Sequence, residues 1–359
     1  MTADDLLELP GPKAFVDRAC ADLEAGRSVL LVFPRFAIAS GLADHVLDAV
    51  ATSAGARCVD TGEAHLATRV AEAMDRLHEW RPGSDPWWDL AHWPALRGQC
   101  AAVRSWEDAV GDPVTRWEAL THESGREPRE RFRLLVGVGL DDLEGSPLDR
   151  TPSLHVSVRW WWGVVDRLDT ELYLSGRDPD PLAHAEAVEV TAWALEGSCG
   201  GGTDGHALAT GLPRAVREHD RTPRTHRQAP PPEIRPHWDL GLVELWDGRY
   251  RPVAAADPEG EERRVLRWRA QVRLLFPYLE EHRVRILREF LPKALTVGVA
   301  PGFGDVWELG DMFGQGRRVG LSLATYDHLK VARDVRNDLA HGRPAEPRQV
   351  ELLREKIPL

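Results

Sequence analysis

The chain of 359 residues is 43% hydrophobic and 28% charged, with a formal net charge of −12 at pH 7. At about 150 residues per domain its length predicts two domains with a sizeable core, and the composition excludes collagen-like, disordered and disulfide-scaffold proteins. No apolar run reaches the roughly 20 residues that cross a bilayer, and the Met-Thr-Ala-Asp-Asp start lacks a leader's basic and apolar regions, so cytoplasm without a membrane partner is the expectation.

In chain order, the pattern predicts a helix over 12–25, a short buried strand over Ser28–Phe33 (SVLLVF), and helices over 36–52, 64–80 and 105–121. Arg131–Gly139 and Leu154–Trp160 read as further strands, and 161–176, 182–195 and 206–218 as helices. Strands alternating with helices predict an α/β domain over 1–220, built on a mainly parallel sheet. The glycine-rich break Gly197–Gly205 reads as a loop, with an anion nest as the sharper alternative.

The stretch Arg221–Pro236 (RTPRTHRQAPPPEIRP) places a linker at 221–237, because proline cannot join helix or sheet hydrogen bonding. Beyond it, 238–359 reads as an all-α helical bundle. Leu266, Val272, Leu275, Leu279, Val284 and Leu287 recur at helical spacing over Glu261–Phe290. A glycine-rich break precedes a helix over Leu321–His341, which Gly342 and Pro344 end. Residues 251–359 carry 19 Lys and Arg against 16 Asp and Glu, so the acidity sits in the N-terminal part, a poor electrostatic match to nucleic acid.

Cys20, Cys58, Cys100 and Cys199 lie far apart without metal-ligand spacing and read as small buried hydrophobes in a reducing compartment. Lysine is scarce: only Lys13, Lys293, Lys330 and Lys356 occur, which removes any mechanism that needs a central lysine. Most of the 14 tryptophans, including Trp87-Trp88 and Trp160-Trp161-Trp162, should anchor core or interface. An aromatic platform for nucleic-acid bases is the alternative for the triple tryptophan.

The order helix, Gly26-Arg-Ser-Val-Leu-Leu-Val-Phe-Pro34, helix is where a P-loop NTPase carries its phosphate loop. That loop needs G-x-x-x-x-G-K-[ST], whose backbone N–H groups cradle phosphates and whose lysine reaches them. Here Pro34-Arg35-Phe-Ala-Ile-Ala-Ser40 stands instead. Val138-Gly139-Leu140-Asp141-Asp142 looks like the acidic end of a magnesium-binding strand, although an exposed turn explains it more simply. This segment resembles inactivated members of the STAND class of signal-transduction ATPases. The resemblance implies a degenerate sensor or assembly module that meets a protein partner and hydrolyses nothing. Asp166 and Asp169 stand three apart and read as a solvated helix face.

The C-terminal run Arg333-Asp334-Val335-Arg336-Asn337-Asp338-Leu339-Ala340-His341-Gly342 carries the strongest signal. Leu329, Ala332, Val335 and Leu339 fall on one side of a helix and should face a core. Asn337 and His341 fall opposite, flanked by Lys330, Arg333 and Asp334, with Arg336 at the edge. Arginine grips phosphate bidentately, and histidine changes charge near neutral pH, as general acid–base work requires.

Arg336-Asn337-Asp338-Leu339-Ala340-His341 resembles the R-x4-H motif of HEPN domains (higher eukaryotes and prokaryotes nucleotide-binding). That resemblance implies a helical bundle that dimerises and, in many members, a metal-independent endoribonuclease. It casts His341 as general acid or base, Arg336 as stabiliser of the phosphorane charge and Asn337 as orienting group. Lys330 and Arg333 would bind RNA, and no cofactor or metal is expected. The chain as a whole then reads as an effector of bacterial conflict or antiphage type, its ribonuclease held in check by the STAND-like domain. The alternative is a non-enzymatic adaptor in which the helical domain only dimerises or assembles.

Overall fold

The computed structural model describes residues 3–59, 65–83, 85–104, 117–118, 121–122, 126–143, 154–174, 185, 188, 229–246, 248–252, 261–302 and 306–356. The chain divides into two compact units, one of Met1–Tyr173 and Ala192–Ala256, the other of Leu174–Thr191 and Asp257–Leu359. The expectations over 105–116, Gly197–Gly205, 206–218 and 221–228 lie outside the described residues, as does all but two residues of 182–195.

In the first unit, α1 (Ala3–Leu7) and α2 (Pro10–Glu24) precede β1 (Ser28–Val32). The chain continues through α3 (Arg35–Ala39), α4 (Leu42–Ala54), β2 (Arg57–Val59), α5 (Leu66–Ala73), α6 (Pro86–His92) and β3 (Cys100–Val103). β4 (Arg133–Val138), β5 (Val156–Trp160) and α7 (Arg167–Leu174) follow. The five strands pair in parallel in the order β2-β3-β4-β1-β5, so the α/β expectation holds. Every residue of β1 and β3 is buried, which is how a parallel strand covered on both faces reads. β2 and β3 escape the sequence pattern because three and four residues are too few to establish a period. One helix expected over 36–52 is two, since Gly41 adopts a left-handed φ of 78° between α3 and α4.

The tryptophan triplet settles as core: Trp160, Trp161 and Trp162 are 5%, 0% and 3% exposed, which overturns the base-platform alternative. They do not start a helix, as 161–176 suggested; Trp161 N–H continues the sheet by bonding Val32 O at 2.8 Å. Of the pair expected on a solvated face, Asp166 is exposed and Asp169 is buried. Asp166 caps α7 through the N–H groups of Leu168 and Asp169, and buried Asp169 accepts from Gly11 and Asp166 N–H at 2.8 Å each. Of the cysteines, Cys100 is buried and Cys20 half-buried, but Cys58 is exposed. Burial pushes the Cys100 thiol up to about 12, so it is inert near neutral pH.

The segment after the prolines carries α8 (Arg235–Asp239) and an antiparallel hairpin, β6 (Val243–Trp246) with β7 (Arg249–Pro252). Residues 238–252 therefore are not all helical as expected, and they belong to the first unit. Ile234, Trp238, Leu242 and Val243 join its core, and Trp238 Nε1 donates to Trp161 O at 3.2 Å. Gly248, between the two strands, takes a left-handed φ of 71°.

The second unit holds α9 (Glu261–Val297), α10 (Leu309–Val319), α11 (Leu323–Ala340) and α12 (Pro347–Lys356). Leu275, Leu279, Phe290, Met312, Leu329, Val335, Leu339 and Leu353 share its core. α9 runs past the expected end at Phe290 and contains Pro277 and Pro292. Both prolines are exposed, where the carbonyl that loses its helical N–H partner still meets water.

Candidate functional site

The sequence-predicted residues lie on α11 and its C-terminal turn. Ser322 starts the helix by accepting Thr325 N–H at 3.1 Å. Leu329, Ala332, Val335 and Leu339 are at most 1% exposed, so the inward face is the one the spacing predicts. The helix ends as Gly342 and Pro344 foretell. Gly342 takes a φ of 74°, its N–H bonds Leu339 O at 3.2 Å, and Arg343 N–H bonds Asp338 O at 2.9 Å, a Schellman closure.

α9 braces this helix end. Trp268 Nε1 donates to Leu339 O at 2.7 Å, a second bond to the carbonyl that Gly342 N–H also reaches. Buried Gln271 donates to Ala345 O at 3.2 Å and accepts Ala345 N–H at 2.6 Å, so one amide pins the following turn from both sides. Asp338, inside the motif, pairs with Arg343 at 2.9 Å and accepts from Gln349 of α12 at 2.8 Å.

On that braced end, Lys330, Asn337 and His341 are exposed along one side of the helix, and no hydrogen bond reaches the Asn337 or His341 side chain among the described residues. Arg333 is engaged: it pairs with the neighbouring Asp334 and lies 4.0 Å from the Phe313 ring centroid, a cation–π contact. Arg336 is engaged by acids of two other helices. Its Nε meets Glu280 of α9 at 3.3 Å, and its Nη2 meets Glu308, the N-cap of α10, at 2.8 Å. Glu280 also holds Arg283 at 2.7 Å, whose Nη1 donates to Trp307 O at 2.9 Å. The structure thus sets Asn337 and His341 on one exposed side and Arg336 in a network joining three helices.

Glu280, Glu308, Trp268 and Gln271 escape sequence reasoning because their partners lie tens of residues away and no periodicity links them. His282 of α9 escapes it too. It is 5% exposed, neither ring nitrogen has a hydrogen-bond partner among the described residues, and the His328 ring lies 6.3 Å away. Burial, with the charges of Arg285 and His328, pushes it down to about 4, so it is neutral at physiological pH.

In the first unit, the loops after β1 and β4 meet at the carboxyl ends of the strands. Phe33 N–H bonds Val138 O at 2.9 Å. β1 lies between β4 and β5, while the chain leaving β1 goes to β2 at the far edge, so this is a topological switch point, where open α/β sheets bind ligands. The crevice holds the chain's own α8: Asp239 Oδ1 accepts Arg35 N–H at 3.0 Å, and its Oδ2 lies 3.2 Å from the Arg35 guanidinium. Burial raises the Asp239 carboxyl, opposed by the Arg35 N–H and guanidinium. Asp141 pairs with Arg35 at 3.0 Å, and Asp142 accepts Gly139 N–H at 2.7 Å, so the acidic strand end is a closed turn.

Compared with known family models, curated proteins and solved structures, the chain matches none. No helix among the described residues is long and apolar enough to cross a membrane, and no three or more His, Cys, Asp or Glu among them group to hold a metal ion.

Proposed function

We propose that the second unit is a metal-independent endoribonuclease of HEPN type that works as a homodimer, in an effector of conflict or antiphage type. The observation that carries this reading is the exposed Asn337–His341 pair on a helix end braced by Trp268, Gln271 and Gly342. A rigid support under exposed, unbonded polar groups is what a preorganised catalytic site needs. Each chain carries one such motif, so a second copy supplies the facing half of the cleft.

In this mechanism one His341 takes the proton of a ribose 2′-OH as general base, and that oxygen attacks the adjacent phosphorus. The phosphorane charge falls on Arg336, which must turn from its glutamates to meet it. Asn337 orients the phosphate, Lys330 and Arg333 approach the backbone, and a protonated His341 gives the leaving 5′-oxygen its proton. The products are a 2′,3′-cyclic phosphate and a 5′-hydroxyl. The nucleophile belongs to the RNA, so this scheme assigns no step to a metal or cofactor.

For the first unit we propose a degenerate, STAND-like sensor that receives a protein partner. Supporting this, the switch-point crevice has a helix in place of a phosphate loop and holds Asp239 where an anion would lie.

A second reading has its own support. Arg336 joins α9, α10 and α11 as a structural cross-link would, which fits a non-enzymatic adaptor that assembles through its helices. Metal-free RNA cleavage, set beside the unfolding temperature of Arg336→Ala and His341→Ala, separates the two. The enzyme loses cleavage in both variants, whereas the adaptor has no cleavage to lose and yields only a stability change in Arg336→Ala.

A further inference from the structure

A guanidinium has five N–H donors and no acceptor, and that of Arg336 faces two carboxylates, Glu280 at 3.3 Å and Glu308 at 2.8 Å. Both acids have a second attachment. Glu280 also holds Arg283, and the Glu308 side chain accepts a backbone N–H in a capping box with Asp311. Either acid therefore keeps a partner if Arg336 leaves. The side chains of the two acids are 39% and 44% exposed against 27% for Arg336, although the Glu308 Oε2 that faces the guanidinium is itself buried and has no hydrogen-bond partner among the described residues. Water reaches the exposed part of each acid side chain, and the second attachments hold the acids in place when Arg336 leaves.

We infer that Glu280 and Glu308 form an acidic clamp that withholds Arg336 from a phosphodiester until one carboxylate is displaced. The inference rests on the ribonuclease reading for the identity of its ligand. A phosphodiester carries one negative charge to a cation already facing two, so the resting site discriminates against the ligand it would use. The clamp sets the level at which the site idles: Arg336 turns toward His341 only when something outbids or neutralises the acids. Glu308 stands at the start of α10, so a shift of that helix end would withdraw it.

The test uses the full chain, EDTA, low salt and a 2′-O-methyl RNA oligomer, which has the phosphates of RNA and no free 2′-hydroxyl to cleave. Equilibrium binding is measured for the parent, Glu280→Gln, Glu308→Gln and the double variant, each with and without Arg336→Ala. Removing one exposed ion-pair partner should tighten binding about two- to fivefold and removing both about tenfold, with every gain lost when Arg336 is alanine. Glu308→Asp, which keeps the charge and the cap but draws the carboxylate back, should move binding the same way and serves if a glutamine variant unfolds. No gain, no binding by any form, or a gain that persists in Arg336→Ala overturns the clamp. Cleavage of ordinary RNA by the parent chain without any gain in binding would leave the ribonuclease and remove the clamp. A gain in binding without cleavage would keep the clamp and remove the ribonuclease.

Discussion

Arg35 in the first unit and Arg336 in the second each lie between two carboxylates, and the two arrangements differ in which partner is buried. In the first unit the Asp239 side chain is 7% exposed and Arg35 58%. In the second the arginine side chain is 27% exposed and those of the two glutamates 39% and 44%, with the Glu308 Oε2 at the contact buried. A buried acid bonded to a backbone N–H is part of the fold, because leaving either group unpaired costs desolvation. Part-exposed acids that each keep a second attachment can exchange a half-buried arginine with other anions. The same three charges thus serve as a rivet in one place and a latch in the other.

The largest test of this contrast removes what carries the rivet. Trp238 is fully buried beside Trp160 and Trp162 and bonds Trp161 O, so Trp238→Ala should destabilise the first unit by about 4 kcal/mol in denaturant unfolding. Asp239→Ala should cost about 2.5 kcal/mol by leaving the Arg35 N–H without its acceptor. A loss as small as that of a surface pair would make Asp239 a latch as well.

Acid should act on the second unit through His282. Its folded value is depressed to about 4, so the unfolded chain binds a proton that the native one refuses between the ordinary histidine value and pH 4. Stability is therefore present above the ordinary value and falls as pH drops through this window, by on the order of 2 kcal/mol. His282→Leu should flatten that limb in unfolding curves taken at pH 7 and 4.5, and an unchanged limb would place the acid sensitivity elsewhere. The smallest effect belongs to the latch: Glu308→Gln should change unfolding free energy by about 0.5 kcal/mol. A cost near that of Asp239→Ala would make Arg336 a structural cross-link and favour the adaptor.

The sequence shows those parts of the fold that local physics dictates. The apolar stripe of Leu329, Ala332, Val335 and Leu339 faces inward as its period requires, and Gly342 closes the helix as its freedom at positive φ allows. β1, β4 and β5 emerge from apolar runs long enough to stand out. β2 and β3 do not, and the hairpin at 243–252 hides behind prolines that read as a boundary. In the candidate site the exposed side of α11 follows from helical geometry, so Lys330, Asn337 and His341 lie where the spacing puts them. The direction of Arg336 is another matter. Glu280 and Glu308 choose it from 56 and 28 residues upstream, a tertiary contact that no local pattern encodes.

The most direct test of the ribonuclease is cleavage of total cellular RNA by the full chain in EDTA, beside His341→Ala. Products ending in 2′,3′-cyclic phosphate, reduced at least about a hundredfold in a variant that unfolds at the parent temperature, are the expected result. Equal cleavage by parent and variant, or none by the parent and by Glu280→Gln/Glu308→Gln alike, would contradict it.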